Sequence, residues 1–535
     1  VSREQHGIYY TDEETILRVI RPLFLDTLEG WLERCNSPKY YKKLHRVILG
    51  MTFLDPACGA CSILRVIFKH LQRIEGVILE HIDTEERVSN AQCMGIELND
   101  APTHGFPVTR GNALRLPWPK VQFIVGNPPF KGGGKLSKEQ KEDRALVFKG
   151  VKGIGQLDYA ACWYLKAAQQ PKPTRTAFIS TNSVCQGVQV PILWAEILKL
   201  GHHINFFAPP FAWKSDAENE ASVICIIVGF WRRKRKGTNI NPYLVEGPDV
   251  LVTKRSKPLG TGVPPMALGA RARDGGHLLM TEEEKDELIR ECPLAEKWIQ
   301  PFMGAKEFLH DIPRYCLWLE GTKISEIKNS PGVMRRLRKV REMRLASKRP
   351  ATRELASKPH LFSERNRTKG PYVAVPLVTS SRRLFIPAAY VTDGKVLGDT
   401  AYTLPGASLY HFGILNSTLH NAWMRAVSGR MKSDYRYSNT VVYNNFVWPM
   451  ITAEMKRDVE VASQGILDAR ALYPDMCLAD LYDPDKMPSE LEEAHRYLDV
   501  LVNLLYGFEG SVKESQLVAR MFELYAEAKE NNDAR

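Results

Sequence analysis

No apolar run in the 535 residues reaches the length a membrane span needs, and the amino terminus has no signal-peptide pattern, so the expected place of work is the cytoplasm. Cysteine is sparse: ten residues are scattered, several inside apolar runs (Cys162, Cys185, Cys225), as reduced core thiols would be. Cys58 and Cys61 form the single C-x-x-C, and no second pair stands at zinc spacing, so no metal site is expected. Neither G-x-G-x-x-G nor a Walker lysine occurs, which disfavours a dinucleotide or a nucleoside triphosphate. Val1, not Met, opens the chain, as with an alternative start codon or a fragment.

What is present is an ordinary globular composition, 44% hydrophobic and 25% charged, with length for two to four domains. The net charge is +12 and most of it is local: Arg335 to Lys369 holds thirteen Lys/Arg against Glu342, Glu354 and Glu364. A concentrated basic stretch is better explained by a polyanion partner than by a solvated helix face, which is the alternative.

The organising stretch is Val121 to Phe130. An apolar β-branched run reaches Gly126 and then turns into Asn127-Pro128-Pro129-Phe130. The run reads as a buried parallel strand, and the prolines stop it and stiffen the turn at its carboxyl end, where ligands sit in open α/β sheets. The Asn127 side-chain oxygen and the Pro128 carbonyl can accept both hydrogens of a conjugated amine and free its lone pair. Phe130 offers a stacking face for an extruded base.

Upstream, Thr11 reads as an N-cap with Glu14 completing a capping box, and Pro22 should split the following amphipathic segment. Thr52 to Leu64 reads as a strand, a small-residue turn (Asp55-Pro56-Ala57-Cys58-Gly59) and a helix carrying Ile63, Leu64, Ile67 and Leu71. Cys93 to Glu97 is a second strand ending in an acid suited to ribose hydroxyls. Gly111-Asn112-Ala113 follows. Lys131 to Lys135 reads as a mobile basic loop, Thr176 to Thr181 and Ser222 to Trp231 as later strands, and the basic run Arg232 to Lys236 as a domain boundary. Short strands and a few helices are expected from Asn239 to Pro449, and a helical scaffold from Ile451 on.

The order Tyr10-Thr11, Asp55-Pro-Ala-Cys-Gly59, Gly95-Ile-Glu97, Gly111-Asn-Ala113, Asn127-Pro-Pro-Phe130 resembles the γ-class adenine-N6 DNA methyltransferases, which use S-adenosylmethionine. Gly153 to Ala168, Phe178 to Gln189, Pro313 to Leu319, Gly429 to Trp448 and Leu481 to Leu491 extend the resemblance to the Type IIL, MmeI-type, restriction–modification enzymes. It implies an α/β chain: a Rossmann-like methyltransferase sheet (1–236), a mixed α/β target-recognition domain (237–450) and a helical carboxyl-terminal region (451–535). Tyr10, Thr11, Asp55, Ala57, Cys58, Gly59, Glu97, Asn112 and Ala113 would line the cofactor site, with Asp158 and Tyr159 at the cofactor–base junction. Asn127, Pro128, Pro129 and Phe130 would hold the target adenine of double-stranded DNA. Lys432, Asp434 and Arg436 would read bases; if that segment is extended, Lys432 and Asp434 share a face.

Three departures stand out. Cys61 replaces a usual Gly, and a side chain there would crowd the cofactor. The residues between Glu97 and Gly111 are too few and too rich in Pro and Gly for the usual crossover helix. The family's nuclease and helical connector have no room before Tyr10 in this sequence, and the residues leave open whether a separately encoded nuclease is a partner. The rival readings are a non-catalytic DNA-binding relic and a methyltransferase of RNA or protein glutamine.

Overall fold

The computed structural model describes residues 11–171, 174–213, 223–234, 237, 239–260, 262–431 and 433–533, so Tyr10 and Lys432 lie outside the described residues. Two compact units divide between Thr253 and Lys254.

The first unit is built on seven strands: β1 (Phe53–Asp55), β2 (Cys93–Glu97), β3 (Val108–Arg110), β4 (Phe123–Gly126), β5 (Arg175–Thr181), β6 (His203–Trp213) and β7 (Val223–Trp231). Their order is β3-β2-β1-β4-β5-β7-β6. All neighbours from β3 to β5 run parallel, and β7 lies antiparallel between β5 and β6. The order reverses between β1 and β4, so the switch point, where open α/β sheets take ligands, falls beside Asp55 and Asn127. Helices α1 (Glu13–Ile20), α2 (Asp26–Leu32), α3 (Pro38–Leu49), α4 (Ser62–Leu79), α5 (Lys138–Val147), α6 (Ala161–Ala168) and α7 (Gln189–Lys199) complete the unit.

The apolar period of α4 buries Ile63, Leu64, Ile67 and Leu71 in one core with Phe24, Phe53 and Phe123, whose ring centroids lie 5.1–5.3 Å apart. One local expectation needs correction. The N-cap of α1 is Asp12, not Thr11: its carboxylate accepts from the Thr15 N–H at 2.8 Å and leaves the Thr11 hydroxyl for other work. Pro22 does interrupt the segment, inside a π-helical turn, Arg21–Leu25, where its missing N–H is tolerated. The crossover from β2 to β3 has no helix. Residues 98–107 turn through the left-handed His104 and Gly105, and β3 pairs with β2 from Gly95↔Val108 to Glu97↔Arg110. Three residues at a sheet edge bury too little to need a covering helix.

The second unit contains two four-stranded sheets and a three-stranded one, all of short strands. The helices Ala453–Ala471, Ser489–Leu505 and Glu514–Asp533 belong to this same unit and pack on Leu409–Asn416 and Thr418–Val427. One joint is polar: Asp499 accepts the Thr418 N–H at 2.6 Å and the Thr418 hydroxyl as well. Burial pushes the Asp499 carboxyl up to about 6, against the lowering pull of those Thr418 bonds. A carboxyl raised above its unfolded value near ~3.9 contributes stability that is complete below that value and lost as pH rises through about 6. Asp499→Asn keeps an acceptor and a donor for Thr418 without the charge. It is expected to raise the urea midpoint at pH 7.5 and leave it unchanged at pH 4; equal shifts at both values would remove Asp499 as the cause.

Candidate active site

A cavity of about 950 Å³ opens at the switch point. Its walls include Thr11, the turn Asp55–Gly59, Glu97, Asn112, Ala113, Asn127, Pro129, Phe130, Asp143, Tyr159 and Trp163. Residues from five separate sequence motifs thus meet in one place.

The strand register explains the meeting. Phe53↔Phe123 and Leu54↔Ile124 set Asp55 beside the end of β4. Gly126 is required there, because a Cβ would come within 2.9 Å of Asp55 Oδ1. That oxygen accepts the Ala57 N–H at 3.0 Å, and the Pro56 carbonyl accepts the Trp163 indole N–H at 3.0 Å, so the turn is held from both sides. Burial pushes the Asp55 carboxyl well above the usual carboxylate range, and the nearby Cys61 and Glu97 push the same way. Glu97 spans the mouth of the turn. One of its oxygens accepts the Gly59 N–H at 2.9 Å, the other the N–H groups of Leu98 and Asn99 at 2.9 and 3.1 Å.

Asn127 is the unusual group. Its Nδ2 points to the Thr11 hydroxyl at 3.4 Å, whereas its Oδ1 is buried and has no hydrogen-bond partner among the described residues. A buried orphan acceptor costs roughly 1–3 kcal/mol, so its retention calls for a ligand donor. Phe130 stands beside it, and its ring meets that of Trp213 in a T-shaped contact with centroids 5.9 Å apart and planes at 86°. Trp213 escaped the sequence reading because it lies on β6, far along the chain, with no local motif.

Asp158 does not line the cavity. Its carboxylate accepts the Gly133 N–H at 2.9 Å and the Ser183 hydroxyl at 2.5 Å, while Tyr159 next to it does face the cavity. The same bonds correct the mobile-loop expectation for Lys131–Lys135. Gly133 is tied to Asp158, Lys135 N–H donates to the Gly132 carbonyl at 2.8 Å, and the Lys131 carbonyl accepts from Tyr159 N–H at 2.9 Å. A Cβ at Gly133 would come within 2.5 Å of the Leu157 carbonyl, which is why the loop passes so close. Cys61 also stays off the cavity wall. Its φ of 58° is the left-handed conformation that favours Gly, but its side chain is fully buried in the α4 core. It strains the backbone and does not fill ligand space.

In the second unit, strand Asp434–Arg436 pairs with Gly429–Met431, Met431 opposite Asp434, and with Val378–Thr379. Alternation puts Asp434 and Arg436 on one face and the buried Tyr435 on the other, under the Arg430 guanidinium at 4.0 Å. Asp434 already accepts the Ser381 N–H at 3.2 Å. The basic stretch divides sharply. Arg338, Lys339 and Arg341 are exposed on the helix Pro331–Leu345 and make no ion pair among the described residues. Arg335 and Arg336 pair with Glu291 and Glu284. Arg344 is fully buried.

Comparison with known proteins places this arrangement. The family model described as the MmeI DNA-methyltransferase domain matches residues 32–105 and 103–241, the MmeI target recognition domain matches 246–450, and the MmeI C-terminal domain matches 451–531. DNA methyltransferase A of Bacillus subtilis (strain 168) is 33% identical over 593 residues, covering 99% of this chain and 67% of that protein. The structure of the Type IIL restriction–modification enzyme MmeI in complex with DNA is 36% identical, with a TM-score of 0.86 over 99% of this chain and 80% of that one. The chain belongs to the MmeI family and carries its DNA-methyltransferase, target-recognition and C-terminal domains.

Proposed function

We propose that the chain is a site-specific methyltransferase of adenine N6 in double-stranded DNA, the modification part of a restriction–modification system. The observation that carries this reading is the orphan Oδ1 of Asn127, a buried acceptor at the head of a large cavity with an aromatic face beside it. Asn127 Oδ1 and the Pro128 carbonyl accept the two hydrogens of the target amine and draw its nitrogen towards a tetrahedral shape. Pro129 stiffens the turn, and Phe130, braced by the perpendicular Trp213 ring, stacks the extruded base. S-adenosylmethionine, held along Tyr10, Thr11, Asp55, Ala57, Cys58, Gly59, Glu97, Asn112 and Ala113, supplies a methyl group on a positively charged sulfur. Asp158 serves at one remove, by fixing the loop after Phe130. No strong base is needed, because the methylated amine is acidic enough to lose its proton to water. Positioning and electrostatics account for the rate.

The cavity is near the upper end of the ~300–1,000 Å³ usual for small ligands, room for a nucleoside cofactor and a base together. The test is modification-sensitive sequencing of DNA from cells expressing the chain. Methyl groups on adenine N6 at one motif are expected; unmodified adenine, with methylated RNA or protein glutamine instead, would replace DNA as the substrate.

Base reading is assigned to the segment of Lys432, Asp434 and Arg436 in a recognition domain spanning 237–450, beside a carboxyl-terminal scaffold from 451. A carboxylate accepts from the cytosine amine and a cation donates to guanine O6 and N7 in the major groove. Exchanging the charges, Lys432→Asp with Asp434→Lys, is expected to change one base of the methylation motif, a contact worth about 1–3 kcal/mol. An identical motif would return both to surface charges.

Phosphate affinity is assigned to the unpaired cations of the basic stretch alone. Replacing Arg338, Lys339 and Arg341 by Gln is expected to lower the slope of log K against log salt by roughly two to three. Replacing Arg335 and Arg336, already paired, should change it less; equal changes would mean the ion pairs open on DNA.

A further inference from the structure

Helix α5 lies in the chain between the Asn127–Phe130 turn and the Asp158–Tyr159 pair. Its Asp143 side chain is 3% exposed and lies in the cavity wall. One carboxylate oxygen accepts the Asn112 amide N–H at 2.9 Å and the Tyr159 hydroxyl at 2.7 Å; the other accepts the Arg115 Nε–H at 2.6 Å. Burial opposes ionisation here, but the hydrogen bonds from Tyr159, Arg115 and Asn112 outweigh it and hold the carboxyl below the usual range.

The pattern around Asn112 is specific. Its Oδ1 accepts the Leu114 N–H at 2.9 Å, a group that can only donate, and its Nδ2 meets a carboxylate that can only accept. The two bonds together fix which way the amide faces and leave its second N–H for a ligand. Asp143 holds Tyr159 by the same oxygen, so one carboxylate sets the orientation of two cavity-lining groups from opposite sides of the sequence gap. Nor is this carboxylate needed merely to hold α5. Arg144 anchors the helix through the Leu157 carbonyl at 2.7 Å, and Ser137 and Gln140 cap its start.

We infer that Asp143 is a positioning residue for the cofactor: it locks Asn112 and Tyr159 in their binding orientation and thereby sets cofactor affinity, without touching the transferred methyl. The inference rests on the methyltransferase reading. A preorganised amide binds without the entropic cost of ordering it.

The test is calorimetric titration of the full chain with S-adenosylhomocysteine, which binds without turnover. Asp143→Asn is expected to raise Kd about ten-fold, as loss of a supporting group does elsewhere, with kcat at saturating cofactor changed less than about two-fold. On an Asn112→Ala background the same substitution should add clearly less than ten-fold, because only Tyr159 is then left for Asp143 to orient. Equal effects in both backgrounds, or a fall in kcat at unchanged Kd, would overturn the inference. If Asp143→Asn does not fold, Tyr159→Phe and Arg115→Gln each remove one partner; at least one should raise Kd several-fold, and two unchanged values would also overturn it. A native chain with no affinity at millimolar S-adenosylhomocysteine would bring down the methyltransferase reading itself, and this inference with it.

Discussion

Asn127→Ala is expected to lower the rate of methyl transfer by about 10²–10³-fold or more while leaving Kd for S-adenosylhomocysteine within a few-fold. The two halves of that expectation come from different atoms. Oδ1 is the buried acceptor without a partner among the described residues, and its removal deletes one of the two bonds that reshape the target nitrogen. Nδ2 makes a long contact of 3.4 Å to Thr11, and losing it costs the cavity wall little. Asn127→Asp separates shape from charge. It keeps an acceptor at Oδ1 but sets a carboxylate near Asp55, which burial already holds well above its usual range. That variant should also be slow, and slower still as pH rises and the new carboxyl ionises. Full activity in Asn127→Ala, or loss of cofactor affinity with transfer intact, would place the residue on the cofactor side of the cavity.

The site was legible where its residues are contiguous. Asp55 to Gly59, Glu97, Asn112 and Asn127 to Phe130 each end a strand of a parallel sheet, and a sheet brings strand ends together whatever lies between them. Trp213 and Asp143 were not legible. Each sits in a stretch that reads as ordinary strand or charged helix, and each acquires its role from a partner more than twenty-five residues away. The crossover from β2 to β3 shows the opposite error. The residue pattern excluded a helix correctly, but the sheet edge needed none. Cys61 shows a third kind: the sequence told that Gly was replaced, and only the backbone angle and the burial of the thiol told that the replacement strains a turn without entering the cavity.

Arg344→Met is expected to destabilise the second unit by about 4 kcal/mol, far more than any other change in the basic stretch. In the sequence Arg344 is one of thirteen cations between Arg335 and Lys369, indistinguishable from its neighbours. In the structure all five of its N–H donors are spent on main-chain carbonyls. Nε donates to Arg273 at 2.9 Å, one terminal nitrogen to Leu355 and Lys358 at 3.0 and 2.9 Å, and the other to Ala272 and Leu361 at 2.9 and 2.8 Å. Burial pulls its pKa down, with Asp274 acting the other way, and the planar fork compensates by meeting five dipoles at once. Methionine fills comparable space but leaves those carbonyls unpaired, each worth roughly 1–3 kcal/mol when isolated, though not additively. Lysine keeps the charge but has three donors on one nitrogen and cannot reach both sides of the loop, so Arg344→Lys should fall between Met and native. For a unit of this size, about 4 kcal/mol corresponds to a midpoint roughly 10 °C lower. Arg338→Gln, on the exposed face of the same helix, should move it by less than about 0.5 kcal/mol. Differential scanning calorimetry of the three variants checks the order. Equal midpoints for Arg344→Met and Arg338→Gln would show that the carbonyls find other donors and that the buried guanidinium is not what closes residues 272–273 onto 355–361.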